Sequence, residues 1–510
     1  MICIIGSGLS AIAAAAALAA RGIRPTILDV GIEPAAAAAS LKMQLGSVEP
    51  DYWRADDAAL AKRTGPVAAN GIPRKLHFGS DFVFQQADQS VSLAANCASM
   101  FRSFAAGGFS NVWGAVVQPV QDKDINGWPI SAKNLDPHYA TISKLIGCSS
   151  APQMHASSQA KALYADLSAN ADLLLGNGIS FEYPQLAVRA ADRNGAKGCR
   201  YCGLCLFGCP YDSRYAAETT LGELVRAGRA AYEPDMLVRR LAPSNGMVRI
   251  EGRSRRGEAR VFFAELVFVA AGLLESTRII LESLGVYGKP LRINHSDIFT
   301  VPLLRYHRSP GIQVEKLHTL CQLTAEVEDT SICAQRVHLQ FYGYNELYRT
   351  LLADKIGPLA KPLAPALESL CGRLLVIFGY LHSDVSSSIQ LSLSSEVNPA
   401  VRLEGKLNPD ARRICMAVAR KLQRRHMCFK GITLRSQLKL DLPGGGYHSG
   451  GTLPMRRMPQ ALETDSWGRL PSLPGVHVVD ASVLPSVPAS PTAFTVMANA
   501  HRIASEVPIP

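Results

Sequence analysis

The first 31 residues, MICIIGSGLSAIAAAAALAARGIRPTILDVG, constrain the fold more than any other stretch. The five apolar residues before Gly6 read as a short buried strand. A glycine turn, an alanine-rich helix and a second strand ending at Asp29 follow. Gly6, Gly8 and Ala11 match G-x-G-x-x-G/A, a pattern in which missing side chains let the backbone approach a pyrophosphate at a helix N-terminus. Asp29 lies 23 residues after Gly6, near the spacing expected of a carboxylate that meets a ribose hydroxyl. The competing reading is a glycine turn in an unrelated α/β unit. The two flanking strands and the correctly spaced acid favour a dinucleotide site.

A chain of 510 residues with 47% hydrophobic and 19% charged residues is large enough for two or more cores. Of its twelve cysteines, four fall within 199–209, and the other eight are scattered without the paired spacing of a secreted disulfide framework. LSAIAAAAALAA follows no basic segment, and no run reaches the roughly 18 apolar residues of a membrane span. A reducing, cytoplasmic setting is the expectation.

Four further motifs identify which dinucleotide. YHSGGTLPM (447–455) precedes GVHVVDASVLPSVPASPTAFTVMANAHRIAS (475–505), while GGFSNVWGA (107–115) and LVFVAAGLLESTRIILES (266–283) lie upstream. In these motifs and their order the chain resembles the glucose–methanol–choline (GMC) family of flavin oxidoreductases. The resemblance implies an α/β fold. A Rossmann-like FAD-binding domain is assembled from discontinuous segments, and a second, α+β substrate domain is roofed by a mostly antiparallel sheet. It implies FAD as cofactor, held without a covalent bond because the 107–115 loop carries no histidine. It places Asp480 and the Ala481 amide at a polar ligand edge, Val238 of EPDMLVRRL at the adenine, and Thr492 at the start of the closing helix. Ser110 and Asn111 would lie near the isoalloxazine, and Trp113 would pack either on the ring or in the core.

Oxidation of an alcohol by hydride loss needs a base for the hydroxyl proton, and imidazole suits that role near neutral pH. His448 falls in the family motif for it. The other histidines of similar standing, His77, His295, His477 and His501, read as structural. The family's partner to the base is an asparagine or histidine in N-P-x-x-T. Here the corresponding stretch is Ser490-Pro491-Thr492, a departure that assigns the second position to the weaker hydroxyl of Ser490.

The motifs divide the chain into FAD-binding segments 1–130, 190–300 and 440–510 and substrate-domain segments 131–189 and 301–439. VHLQFYGYNELY and RLLVIFGYLHSDVSSSIQLSLS would supply roof strands. Residues 347–372 read as a packed insertion, with a lid or membrane-facing loop as the other readings. The formal net charge is +11. In DARRICMAVARKLQRRHMCFK (410–430) the pattern predicts a helix capped by Asp410, with Ile414, Val418 and Leu422 on one face and Arg420, Lys421, Arg424 and Arg425 on the other. Such a basic face is first a solvated one, and otherwise favours an anionic partner such as a phospholipid surface. No nucleic-acid-binding module accompanies it. The expected partners are a small alcohol or saccharide substrate and oxygen or an electron carrier as acceptor. A flavin reductase, a desaturase-like dehydrogenase and a flavoprotein that has lost catalysis are the alternatives.

Cys199, Cys202, Cys205 and Cys209 follow C-x2-C-x2-C-x3-C-P, the run that grips iron–sulfur clusters in ferredoxins. Unliganded thiols and zinc remain open alternatives. The expectation taken is a [3Fe–4S] or [4Fe–4S] cluster.

Overall fold

The computed structural model describes residues 1–63, 76–86, 92–149, 153–193, 195–395 and 399–509. Strands Ile2–Ile5 and Thr26–Leu28 pair in parallel and form the middle of a five-stranded sheet, with Leu266–Val269 and Val476–Val478 on one side and Ala231–Glu233 on the other. Every pairing in it is parallel, which explains why these strands read as apolar runs rather than alternations. The helix between the first two strands, Leu9–Ala20, is apolar on almost every side. Such a helix must be buried on every side, and it lies between this sheet and the last helix, Thr492–Glu506. The alanines leave room for that close approach, and Arg21 then caps the last helix by donating to the carbonyls of Ala504 and Val507.

A second sheet of seven strands is antiparallel throughout and includes Ile179–Glu182, Ile298–Arg305, Leu323–Val327, Val337–Tyr342 and Leu374–Tyr380. Its strands alternate. Phe299, Val301, Leu323, Leu339 and Ile377 point into a dry core, together with Ile414, Val418 and Leu422 of helix Pro409–Arg424. Its other face carries Thr324, Glu326, His338, Gln340, Tyr342 and Tyr380. The fold is therefore α/β with a parallel sheet beside antiparallel ones.

Two local expectations are corrected. The helix is capped by Asn408, whose side chain accepts from the Asp410 N–H at 3.0 Å, with Pro409 at the first helical position. Asp410 instead accepts from Arg413. Strand Ser388–Leu393 does not join the roof. It pairs with Leu291–His295 and Ala400–Lys406 in a separate sheet, because the turn after Tyr380 redirects the chain. Residues 347–372 form helices Glu346–Ile356 and Ala364–Cys371 with a turn between them. Among the described residues no helix is long and apolar enough to cross a membrane.

Candidate active site

The two motif glycines do different things. Gly6 has φ +98°, and a Cβ there would stand 2.5 Å from the Ala270 carbonyl, so the fold itself requires glycine. Gly8 has φ −71°, and a Cβ there would meet nothing within 4 Å. The protein leaves Gly8 bare at a helix N-terminus, where backbone N–H groups suit an anion. A Cβ on Gly108 of the 107–115 loop would lie 3.8 Å from the Gly8 Cα, so that loop runs directly alongside. Ala11 is wholly buried inside the helix.

Asp29 sits at the end of the second strand, buried, and accepts from the hydroxyls of Ser7 and Tyr232. Burial pushes its carboxyl up to about 6, and those hydrogen bonds only partly oppose the shift. Ser7 also accepts from the Gly107 N–H at 2.9 Å and so ties the glycine turn to the 107–115 loop. Within that loop the Ser110 hydroxyl donates to the Gly107 carbonyl and accepts from the Ala217 N–H. The Asn111 amide donates to the carbonyls of Ala106 and Gly108. These bonds shape the loop rather than face outward. Trp113 donates its indole N–H to the Tyr215 carbonyl.

Asp480 is buried after strand Val476–Val478. One oxygen accepts from the Gly272 N–H and the Ser276 hydroxyl, and the other from the N–H and hydroxyl of Ser482. Burial raises its carboxyl above the usual range. It thereby locks the short turn Ala481–Val483 against helix Leu273–Ser283. Val238 lies in strand Leu237–Ser244, and its carbonyl accepts from Arg278 at 2.6 Å. Thr492 opens the last helix.

Sequence reasoning missed the cluster behind Val238. Arg278, 1% exposed, pairs with Glu275 at 2.8 Å and Glu282 at 2.9 Å, and Arg102 reaches Glu275 at 3.1 Å. Burial alone would raise the Glu275 carboxyl, but the two guanidiniums more than reverse this and hold it low. The signal was the E-x-x-R spacing inside LLESTRII. Arg278→Leu strands buried carboxylates and should cost about 3–5 kcal/mol, read as a lowered urea midpoint.

The His448 ring stacks on Tyr380 with centroids 4.8 Å apart, and its Nδ1 is buried without a partner. Burial, and then the charge of His338, pulls its pKa down to about 4. Ser490 is fully buried, and its hydroxyl likewise has no partner. The segments carrying both are pinned to the end of strand Leu374–Tyr380. His448 is held there by the ring stack, and Val487 exchanges two 2.9 Å bonds with Ser383. Each is a buried polar atom free to meet a ligand.

Cys199, Cys202, Cys205 and Cys209 line one cavity with Arg214 and His318. The cavity holds about 10 Å³, roughly one water. Burial, helped by the neighbouring thiols, pushes Cys199 up to about 12 and raises Cys202 and Cys205. Among the described residues no group of three or more His, Cys, Asp or Glu side chains is placed to hold a metal ion. That placement lends no support to the expected iron–sulfur cluster. Arg214 links this cavity to the 107–115 loop by donating to the carbonyls of Asn111 and Trp113.

A family model described as GMC oxidoreductase matches residues 387–500, the stretch that carries His448, Asp480 and Ser490. Over that stretch the chain is similar to the GMC oxidoreductase family. Two uncharacterized GMC-type oxidoreductases of Mycobacterium tuberculosis, from strains CDC 1551 / Oshkosh and ATCC 25618 / H37Rv, are each 24% identical to it over 337 residues. The match covers 61% of this chain and 51% of each relative, so this chain spans about half the length of the curated relatives it matches. The crystal structure of pyridoxine 4-oxidase from Mesorbium loti superposes with a TM-score of 0.62 at 17% identity, covering 99% of this chain and 98% of that one. It shares the fold.

Proposed function

We propose that this chain is a GMC-family, FAD-dependent oxidoreductase that oxidises an alcohol to a carbonyl with His448 as general base. The observation that carries the reading is the His448 imidazole: buried at Nδ1, unpartnered, and held neutral by its surroundings. A neutral imidazole without a partner accepts a hydroxyl proton at that atom. FAD, when bound, supplies the hydride acceptor. Tyr380 fixes the plane of the imidazole, and the Ser490 hydroxyl is the second group free to steady the alkoxide. The bare backbone at Gly8 suits the diphosphate, with Asp29 nearby for the ribose. Ser110, Asn111, Trp113, Val238, Asp480, Ala481 and Thr492 would position the rest of the cofactor, most of them by shaping the backbone around it. The flavin unit would comprise 1–130, 190–300 and 440–510. A sugar or lipid-linked glycoside hydroxyl is the substrate class favoured, with oxygen or a carrier as acceptor. Anaerobic mixing of the holoenzyme with a panel of alcohols should bleach the flavin; a flavin untouched by every alcohol would end the reading.

The cysteine loop enters this proposal as half-buried, unliganded thiols, since among the described residues no group of its side chains is placed to hold a metal ion. Protein purified without oxygen should contain far less than one iron per chain, and Cys202→Ser should leave the visible spectrum unchanged. About three or four irons per chain would restore the cluster.

A further inference from the structure

The strongest chemistry not yet used lies on the polar face of the roof sheet. Glu326 stands opposite His338, and His338 opposite Tyr380, so these residues form one row across three strands that ends at the ring stacked on His448. His338 is held at both nitrogens: Glu326 Oε1 lies 2.8 Å from Nδ1, and Gln340 Nε2 lies 3.2 Å from Nε2. The Gln118 amide, just past strand Val116–Val117 and the 107–115 loop, donates to the same Glu326 oxygen at 3.0 Å. Arg336 donates to Asp124 and stands 3.8 Å from that oxygen.

All of these bonds converge on Oε1. Glu326 Oε2 and Gln118 Oε1 are buried with no partner, although Glu326 is only 9% exposed. Leaving buried acceptors unpaired costs about 1–3 kcal/mol each, and a folded protein that keeps them pairs them with water or an ion or uses them in a site. Burial alone would raise the Glu326 carboxyl. His338 and Arg336 outweigh it and keep the group ionised, hence an acceptor. Two such acceptors, on side chains joined to each other by a hydrogen bond, call for a donor; Arg336 Nε is likewise buried and unpartnered beside them.

We propose that Glu326 and Gln118 form a recognition subsite for a second hydrogen-bond donor on the substrate, a hydroxyl or an ammonium, remote from the carbinol held at His448. The inference rests on the reading of His448 as the site of alcohol oxidation. Glu326 and Tyr380 are two strands apart, roughly 9–10 Å, so the second donor sits several atoms from the reacting carbon. A linear six-carbon chain bridges that span, and a sugar's hydroxyls offer the same chemistry.

The test uses the holoenzyme, mixed anaerobically with 1-hexanol, 1,6-hexanediol and 6-amino-1-hexanol. Affinity is read from the perturbation of the visible flavin band and from the concentration dependence of bleaching. The diol or the amino alcohol should bind about tenfold or more tightly than hexanol, as one charge-assisted hydrogen bond supplies. Which of the two is preferred tells hydroxyl from ammonium recognition. Glu326→Gln and Gln118→Leu should each bring that ratio below about threefold, with the flavin content of the purified variants serving as the check on folding. Equal affinities in the wild type, or a preference unchanged in Glu326→Gln, overturns the subsite. A preference in binding without bleaching leaves the subsite standing and overturns alcohol oxidation instead.

Discussion

Gly8→Val should give folded, colourless protein, whereas Gly6→Val should give little folded protein at all. The two glycines lie two residues apart in one motif, yet the structure asks different things of them. A side chain at Gly6 combines a φ of +98° with a 2.5 Å approach to the Ala270 carbonyl, and neither can be relieved without moving the central strands. Strain of that backbone kind costs about 1–3 kcal/mol before the clash is counted. At Gly8 the backbone already has a φ any residue adopts, and the space beyond the Cα is open. Valine there displaces only what binds over the helix N-terminus. The measurement is thermal unfolding beside the ratio of flavin to protein absorbance. Gly8→Val protein that unfolds at a wild-type temperature and carries no flavin places the diphosphate at this turn. A fully yellow variant moves the cofactor elsewhere.

His448→Ala should retain FAD and lower kcat by about 10²–10⁴, the range typical when a general base is lost. The pH dependence adds a second signature. The ring titrates near 4 in the folded chain, well below the ordinary 6.5, because burial disfavours its charged form. In the wild type the acid limb of kcat/KM should therefore fall below about pH 5, with no break near 6.5. The sign of the stability effect follows. Between about 4 and 6.5 the unfolded chain binds the proton that the folded chain refuses, so stability declines as pH drops through that window and is complete above it. His448→Ala should flatten part of that decline, measured as urea midpoints across the window. Turnover near the wild-type rate in the variant would remove His448 from the base role.

Much of the fold was legible in the chain because its signals are local. G-x-G-x-x-A between two apolar runs describes one strand, one turn and one helix, and the structure builds them within residues 2–28. The alternation in VHLQFY marks a strand with two unlike faces, and it forms Val337–Tyr342 with Leu339 and Phe341 in the core. Even near misses stayed local. The cap moved from Asp410 to Asn408 because a proline at the first helical position shifts the cap upstream. What sequence could not supply was the company each side chain keeps. Ser110 and Asn111 look like ligand groups in a string of letters, but their hydrogen bonds are taken up by carbonyls and an amide of the folded loop and its neighbour. Four cysteines at ferredoxin spacing describe a loop that can wrap a cluster. The surroundings those thiols meet include Arg214 and His318, the latter more than a hundred residues away. The family motif singled out His448, whereas Tyr380 stands beside it, and His338, Glu326 and Gln118 continue the row away from it, through strand register and loop packing over long sequence separations. Backbone propensity acts over a few residues and so can be read directly. Whether a buried polar atom is satisfied depends on which remote segments arrive around it, and only the tertiary structure decides that.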